Sequence, residues 1–172
     1  KPGNAYLVIV GDITPEAAKT KAEKYFGSWP AGKTPEYEYA FPKGVDNTSV
    51  AFIDKSGAVQ SVINITYALD LKPGAPDVIP ARVMNTILGS GFSGRLFKNL
   101  REDKAYTYGA YSSLDDDELV GNFSANASVR NEVTDSAITQ FFLELDKLRN
   151  EPVSQEELDL AKSFIAGGFA RS

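Results

Sequence analysis

The sequence predicts an α+β fold, a two-layer sandwich in which a mostly antiparallel sheet packs against helices. Residues 119–129 alternate between apolar and polar side chains, the pattern of a strand with one face on a core. Residues 106–114 precede them across a short acidic turn, so the two segments are predicted to form a hairpin. Residues 77–88 and 132–149 instead carry apolar side chains at helical spacing. Antiparallel strands with separate long helices indicate the α+β class.

The N-terminal segment predicts one strand followed by one helix. Residues 5–10 are a short apolar run rich in β-forming side chains, which predicts a buried strand. Thr14 is a good helix N-cap, and Pro15 suits the first helical position. Gly27 is predicted to end this helix.

Domain organisation is predicted from residues 29–47, which contain several prolines, show little periodicity and are typical of a linker. Residues 1–28 are then the terminal strand and helix of a preceding domain, and residues 48–172 form a second domain. The chain lacks an initiator methionine and ends inside a helical pattern. We therefore expect a piece of a longer protein, with its second domain truncated at the C-terminus. An orphan apolar strand near the N-terminus would expose an edge, so self-association through it is also expected.

The second domain is predicted to begin with two strands and a helix. Residues 48–53 are a strand candidate, and residues 60–69 alternate more clearly between two faces. Asp77 is a plausible N-cap for the helix that follows.

Two further helices are predicted near the C-terminus. Asn131 is expected to cap a long helix over residues 132–149. Ser154 and Glu157 have the spacing of a capping box, which predicts the start of the next helix. The apolar stripe of the long helix is expected to comprise Val133, Ile138, Phe141, Phe142, Leu145 and Leu148.

A glycine-rich loop at residues 89–94 matches G-x-G-x-x-G letter for letter, and Asp115 lies about twenty residues further on. A dinucleotide site needs this loop to follow a strand within a βαβ unit. Residues 77–88 predict a helix instead. We therefore favour a glycine turn between two helices over a nucleotide site.

The residue types present exclude several kinds of catalytic site. The 172-residue chain has neither cysteine nor histidine, so it has no disulfides and no serine–histidine or cysteine–histidine pair. A zinc site would need carboxylates alone, against the usual ligand set. We expect no catalytic residue, metal site or cofactor within this chain.

Charge and hydropathy argue against two kinds of partner. The net charge of -5 disfavours nucleic acid, and no apolar run is long enough to span a membrane. The acidic run at residues 115–118 lacks the spacing of an EF-hand, so we favour a solvated turn over a calcium loop.

Three segments, in collinear order, carry a family resemblance. Residues 88–112, LGSGFSGRLFKNLREDKAYTYGAYS, resemble the signature of the C-terminal, non-zinc domain of pitrilysin/insulinase-type peptidases, zinc enzymes with an inverted H-x-x-E-H motif. Residues 5–30 resemble the segment that closes the preceding, zinc-type domain. Residues 152–166 resemble the helix that follows the signature.

The resemblance implies a fold, an activity and site residues. Family members are α+β sandwiches that cut peptides in a chamber made of paired domains, one of which supplies zinc and a glutamate base. The opposing domain supplies an arginine and a tyrosine seven residues apart, which hold the substrate. Arg101 and Tyr108 match that spacing. The family's possible substrate loop corresponds here to Gly89, Gly91, Ser93 and Gly94.

Simpler structural roles remain open for the same two residues. Arg101 would suit the last carbonyls of its helix, or an ion pair with Glu102 or Asp103. Tyr108 would suit a half-buried position in a strand. Tyr106 competes with Tyr108 because both are expected on one strand face.

Two functions follow. The first is the substrate-binding, catalytically silent portion of a zinc endopeptidase, whose H-x-x-E-H motif and zinc lie in the same polypeptide or on a partner subunit. The second is a non-catalytic core or interaction subunit of the same fold, since some family members have lost the zinc. An H-x-x-E-H motif in the same gene or its neighbour would favour the first.

Overall fold

The computed structural model describes residues 2–30, 32–34, 36–51 and 53–169 of the chain. These form two compact units, Lys1–Ala40 and Phe41–Ser172. The division falls within residues 29–47, the predicted linker. The assignment of residues 1–28 to a preceding domain stays a prediction.

The first unit contains a short 3-10 turn, Pro2–Asn4, and helix α1, Pro15–Phe26. The Thr14 hydroxyl accepts a hydrogen bond from the Ala17 amide at 3.3 Å, and Pro15 occupies the first turn. Gly27 follows the last helical residue, so the predicted start and end of this helix are confirmed.

The predicted strand at residues 5–10 is wrong, because the structure gives this segment no strand and leaves all six residues exposed. A strand needs neighbouring backbone to pair its N–H and C=O groups, and none of the described residues provides it. Apolar β-forming side chains alone do not supply that partner. Self-association through this segment stays a prediction.

The second unit is built on three antiparallel strands, which are β1 (Gln60–Leu69), β2 (Thr107–Asp115) and β3 (Gly121–Arg130). Their spatial order is β1-β3-β2. The β2–β3 hairpin and strand β1 confirm the predictions. The strand expected at residues 48–53 is wrong for 48–51 and 53, which are neither helical nor paired, and residue 52 lies outside the described residues.

One face of the sheet is buried and the other is open. Along β3 the buried residues are Gly121, Phe123, Ala125, Ala127 and Val129, and each residue between them is exposed or half-buried. The polar side chains of alternate positions therefore cover the open face, which in β3 comprises Asn122, Ser124, Asn126, Ser128 and Arg130.

The helices are α2 (Val78–Gly89), α3 (Arg95–Phe97), α4 (Thr134–Asn150) and α5 (Gln155–Phe169), and α3 continues directly into a π-helical segment, Lys98–Asp103. Leu88, Leu96, Leu100 and Phe141 are fully buried in one cluster with the inner face of the sheet. The α+β prediction, with helices on one side of an antiparallel sheet, is therefore confirmed. No helix in the described part of the chain is long and apolar enough to cross a membrane.

The start of α4 differs from the expectation. Asn131 does not cap the helix, because its side chain donates to the Ala58 carbonyl at 2.6 Å and accepts from the Ser61 hydroxyl at 3.0 Å. A 3-10 turn, Asn131–Val133, comes before α4. A bond to a residue distant in sequence outcompetes the local cap.

The stripe expected on α4 is confirmed at Phe141, which is buried, and at Val133, Leu145 and Leu148, which are partly buried and pack against the core. The expectation is wrong for Ile138 and Phe142. The buried residues of α4 are Ala137, Phe141 and Glu144. Phe142 is 52% exposed and Ile138 is 36% exposed. Glu144 tolerates burial because the Asn99 amide donates to its carboxylate at 2.7 Å, and Lys147 pairs with it at 3.0 Å.

The capping box of α5 is confirmed. The Ser154 amide donates to Glu157 at 3.1 Å, and the Glu157 amide donates to the Ser154 hydroxyl at 3.2 Å. Arg95 also donates two hydrogen bonds to the Glu157 carboxylate, at 2.6 and 2.9 Å. This ion pair joins α3 to the start of α5.

We expect the Arg95–Glu157 pair to make stability pH-dependent. The hydrogen bond from Arg95, helped by Ser154, lowers the pKa of Glu157 to about 2. An unfolded glutamate has a pKa of about 4.3. The stabilisation is therefore complete above pH ~4.3 and is lost as the pH falls towards 2.

Glu157→Gln should consequently lower the free energy of unfolding by about 1 kcal/mol near neutral pH, with a smaller loss near pH 2.5. Urea titrations at both pH values measure this difference. Glu156→Gln, in the same helical turn, is the matched control, because Glu156 is exposed and joins no ion pair among the described residues. An equal loss at both pH values would contradict the prediction.

Candidate functional site

Arg101 projects from the π-helical segment Lys98–Asp103. The wide turn is closed by the Lys104 amide, which donates to the Asn99 carbonyl at 3.0 Å, five residues back. Leu100 is fully buried and anchors the turn, while Arg101 is exposed. π-helical turns occur frequently at functional sites.

The Arg101 guanidinium is fixed by two contacts. One N–H donates to the backbone carbonyl of Tyr108 at 2.5 Å. The guanidinium carbon also lies 5.2 Å from the centre of the Phe97 ring, within cation–π range. Neither expected structural role holds in the described part of the chain, since no ion pair joins Arg101 to Glu102 or Asp103 and its hydrogen bond is to a strand carbonyl.

Tyr108 lies at a β-bulge. Thr107 pairs with Val129, but Ala110 pairs with Ala127, so Tyr108 and Gly109 together face a single residue of β3. The Thr107 hydroxyl holds this geometry, lying 2.7 Å from the Ser128 carbonyl and accepting from the Gly109 amide at 3.2 Å. Bulges are over-represented beside active sites, where they re-aim a side chain.

The bulge leaves the Tyr108 side chain 86% exposed, and its hydroxyl has no hydrogen-bond partner among the described residues. The alternative of a half-buried strand aromatic is therefore wrong for Tyr108.

Tyr106 does not share a strand face with Tyr108, so that expectation is wrong too. It precedes β2, is half-buried and packs against the core. Ala105 turns the chain with a φ of 52°, and the Tyr106 amide donates to the Leu100 carbonyl at 2.9 Å. The turn and the bulge together break the two-residue period that the shared face requires.

Sequence reasoning missed Thr107 and Gly109. A Cβ at Gly109 would lie 2.6 Å from Cε2 of Tyr111, so a side chain here would require the Tyr111 ring to move. An isolated glycine in a strand pattern is a signal for a bulge, and Gly109 was that signal.

A pocket of about 430 Å³ opens beside the two predicted residues. Among the described residues, its lining includes two arginines, Arg101 and Arg130, and no carboxylate. The Arg130 guanidinium donates to the Ala105 carbonyl at 3.1 Å. The other lining residues are Gln60, Ala105, Tyr106, Thr107, Tyr108 and Ser128.

The glycine loop lies elsewhere, and none of its four predicted residues lines this pocket. A Cβ at Gly89 would lie 2.5 Å from the Ser112 backbone nitrogen, and one at Gly94 would lie 2.8 Å from Cα of Gly89. Gly91 has a φ of +81°, and Ser93 is exposed. The glycines therefore permit tight packing and a turn, and a role for the loop with substrate stays a prediction.

Comparison with known proteins identifies the family. The model of the Peptidase M16 inactive domain matches residues 1–164. The chain belongs to this family.

Relatives and solved structures agree with the M16 inactive-domain assignment. A Rickettsia felis protein named an uncharacterized zinc protease is 29% identical over 170 residues, covering 95% of this chain and 38% of that protein. The crystal structure of a peptidase M16 inactive domain from Pseudomonas fluorescens is similar with a TM-score of 0.59 and 30% identity, covering 64% of this chain and 27% of that one. A Helicobacter pylori protease, 18% identical, shares the fold with a TM-score of 0.69, over 94% of this chain and 39% of that one. The chain thus spans less than half the length of these relatives.

The acidic turn of this M16 inactive domain is held by protein groups. Asp116 pairs with Arg82 at 2.8 Å, and the Asp117 carboxylate accepts from the amides of Leu119 and Val120 at 2.8 and 3.2 Å. Within the described ranges, no group of three or more histidine, cysteine, aspartate or glutamate residues is placed to hold a metal ion.

Proposed function

We propose that this M16 inactive domain is the substrate-binding, catalytically silent portion of a zinc-dependent endopeptidase. It would form a peptide-cleaving chamber with an H-x-x-E-H domain in the same polypeptide or on a partner subunit. The observation that carries the proposal is the hydrogen bond from Arg101 to the backbone carbonyl of Tyr108, whose side chain is exposed to solvent.

The chemistry of the pair suits a bound peptide. Arg101 uses one of its five N–H donors on Tyr108, so the others are available to substrate carbonyls or carboxylates. The Tyr108 hydroxyl, which bonds to no described residue, is a donor that can stabilise negative charge developing on a carbonyl oxygen. Because the arginine contacts the backbone of the tyrosine, the guanidinium is held next to the residue that carries the tyrosine side chain.

Zinc does not fit the residues of this chain. The chain has no histidine or cysteine, and its described residues form no carboxylate cluster suited to a metal. The names of the relatives as zinc proteases support a zinc site on the opposing domain. The contribution of this chain is to bind and orient the peptide.

We expect the purified chain to contain no stoichiometric zinc and to cleave no quenched fluorescent peptide. Mixing it with the H-x-x-E-H domain encoded in its own gene, or in the neighbouring gene, should produce turnover. Mass spectrometry for zinc and a fluorescence assay measure both. Chelator-sensitive cleavage by the chain alone would refute the silent role. An inactive mixture with zinc fully bound would favour the interaction subunit.

A further inference from the structure

The pocket of Arg101 and Tyr108 is positively charged in a protein that is acidic overall. The chain carries 23 acidic and 18 basic residues, a net charge of -5, yet the described residues that line this pocket include two arginines and no carboxylate. Two like charges around one concavity raise the local concentration of an anion. The proposed handling of a neutral peptide carbonyl uses only Arg101 and Tyr108, so Arg130 has no part in it.

Arg130 is held in place without being neutralised. It is the last residue of β3, opposite Gln60 on the open face of the sheet. The one hydrogen bond that its side chain makes to a described residue is to the Ala105 carbonyl, and it forms no ion pair among those residues. By contrast, Arg82 and Arg95 each contact a carboxylate at hydrogen-bond distance.

The remaining donors of Arg130 match a carboxylate. A guanidinium offers two parallel N–H groups to the two oxygens of a carboxylate, and such charged bonds are about twice as strong as neutral ones. Arg101 adds a second positive charge to the same pocket. Ser128, also in the lining, carries a hydroxyl that is a further neutral donor.

We propose that this pocket selects a carboxylate of the bound peptide and that Arg130 is the residue that determines this specificity. The inference rests on the proposed peptide-binding function and adds to it a class of substrate. An acidic side chain and a free C-terminus present the same group, so the proposal names the carboxylate and the test separates its two sources.

Three acetylated peptides of one length serve as probes. The first has a central glutamate and an amidated C-terminus, the second a central glutamine and an amidated C-terminus, and the third a central glutamine and a free C-terminus. Binding to the whole chain is followed by NMR, through the arginine side-chain N–H signals, at low salt. We expect at least one carboxylate peptide to bind about ten-fold more tightly than the neutral one. If the glutamate peptide binds more tightly than the peptide with the free C-terminus, the carboxylate is that of a side chain. The reverse order identifies a C-terminal carboxylate.

Substitutions at Arg130 link this preference to the residue. Arg130→Gln should remove the ten-fold preference, and Arg130→Lys, which keeps the charge but loses the fork, should retain part of it. Arg149→Gln is the matched control, because Arg149 is also exposed and lies on α4, outside the pocket. Melting temperatures of all variants report whether the fold is intact. If Arg130→Gln is unfolded, Arg130→Lys is the variant that tests the inference. An undiminished ten-fold preference for the carboxylate peptide in Arg130→Lys would count against it.

The outcomes distinguish this inference from the proposed function. Equal affinity for all three peptides would overturn the carboxylate preference and leave peptide binding standing. A preference that persists in folded Arg130→Gln would overturn the role of Arg130. Absence of saturable binding by every peptide would overturn both proposals.

Discussion

Tyr108→Phe in the complete zinc-bearing enzyme is expected to lower kcat about 100-fold, because it removes a single hydrogen-bond donor from the position where carbonyl charge develops. The bulge leaves the Tyr108 ring exposed, so removal of the hydroxyl breaks no hydrogen bond to a described residue. Melting temperature and zinc content should therefore stay at wild-type values. Steady-state kinetics alongside melting curves measure the effect.

Arg101→Lys should also be deleterious, since lysine keeps the charge but loses the planar fork of donors. It also disturbs the hydrogen bond to the Tyr108 carbonyl, so we expect a stability loss of up to about 1 kcal/mol.

Tyr106→Phe is the matched control for the tyrosine variant. Tyr106 lines the same pocket but packs against the core before β2, and its hydroxyl has no assigned part in binding. The decrease in kcat/KM of Tyr106→Phe should be mild. Normal kcat/KM in Tyr108→Phe, or an equal loss in Tyr106→Phe, would end the claim that Tyr108 holds the substrate.

Gly89→Ala is expected to lower the free energy of unfolding by about 3 kcal/mol. The added Cβ would lie 2.5 Å from both the backbone nitrogen and the hydroxyl of Ser112. Because one of these atoms belongs to the backbone, α2 and β2 must separate to admit it. The separation would also strain the buried bond, 2.7 Å long, from the Ser112 hydroxyl to the Asn85 side chain.

Gly167→Ala is the matched control, because Gly167 lies inside α5 and a Cβ there meets no atom of the described residues within 4 Å. Alanine is the better helix former by about 1 kcal/mol, so this variant should be neutral or slightly stabilising. Urea denaturation measures both variants. Wild-type stability in Gly89→Ala would show that the contact between α2 and β2 yields to a methyl group at little cost.

The features that sequence predicted well depend on local periodicity or local bonds. The alternation over residues 119–129 identified the buried face of β3, and the capping box of Ser154 and Glu157 uses groups three residues apart. Both are properties of a short segment, and its own residues specify them.

The features that sequence missed depend on distant partners. Residues 5–10 have the composition of a strand, but pairing is a property of two segments. The Asn131 side chain bonds to Ala58 instead of capping its helix.

At the candidate site, the resemblance supplied Arg101 and Tyr108 by their spacing of seven residues. No pattern specified that the arginine would contact a backbone carbonyl, because this depends on where the helix and the strand are placed. The separation of Tyr106 from Tyr108 was missed because strict alternation was assumed from Tyr106 onwards, whereas β2 begins only at Thr107 and its pairing is irregular from Thr107 to Ala110.

The bulge also confines the surplus residue of strand β2 to one point. Pairing is regular again from Ala110 onwards, so the surplus residue is absorbed between Thr107 and Ala110. Removing it would restore plain one-to-one pairing there and leave the core-facing Ala110 and Ser112 opposite their present neighbours. The length of the chain beside Tyr108 is therefore uncoupled from the packing of the core. A deletion at the bulge would therefore move the tyrosine and leave the core-facing pairs of β2 and β3 as they are.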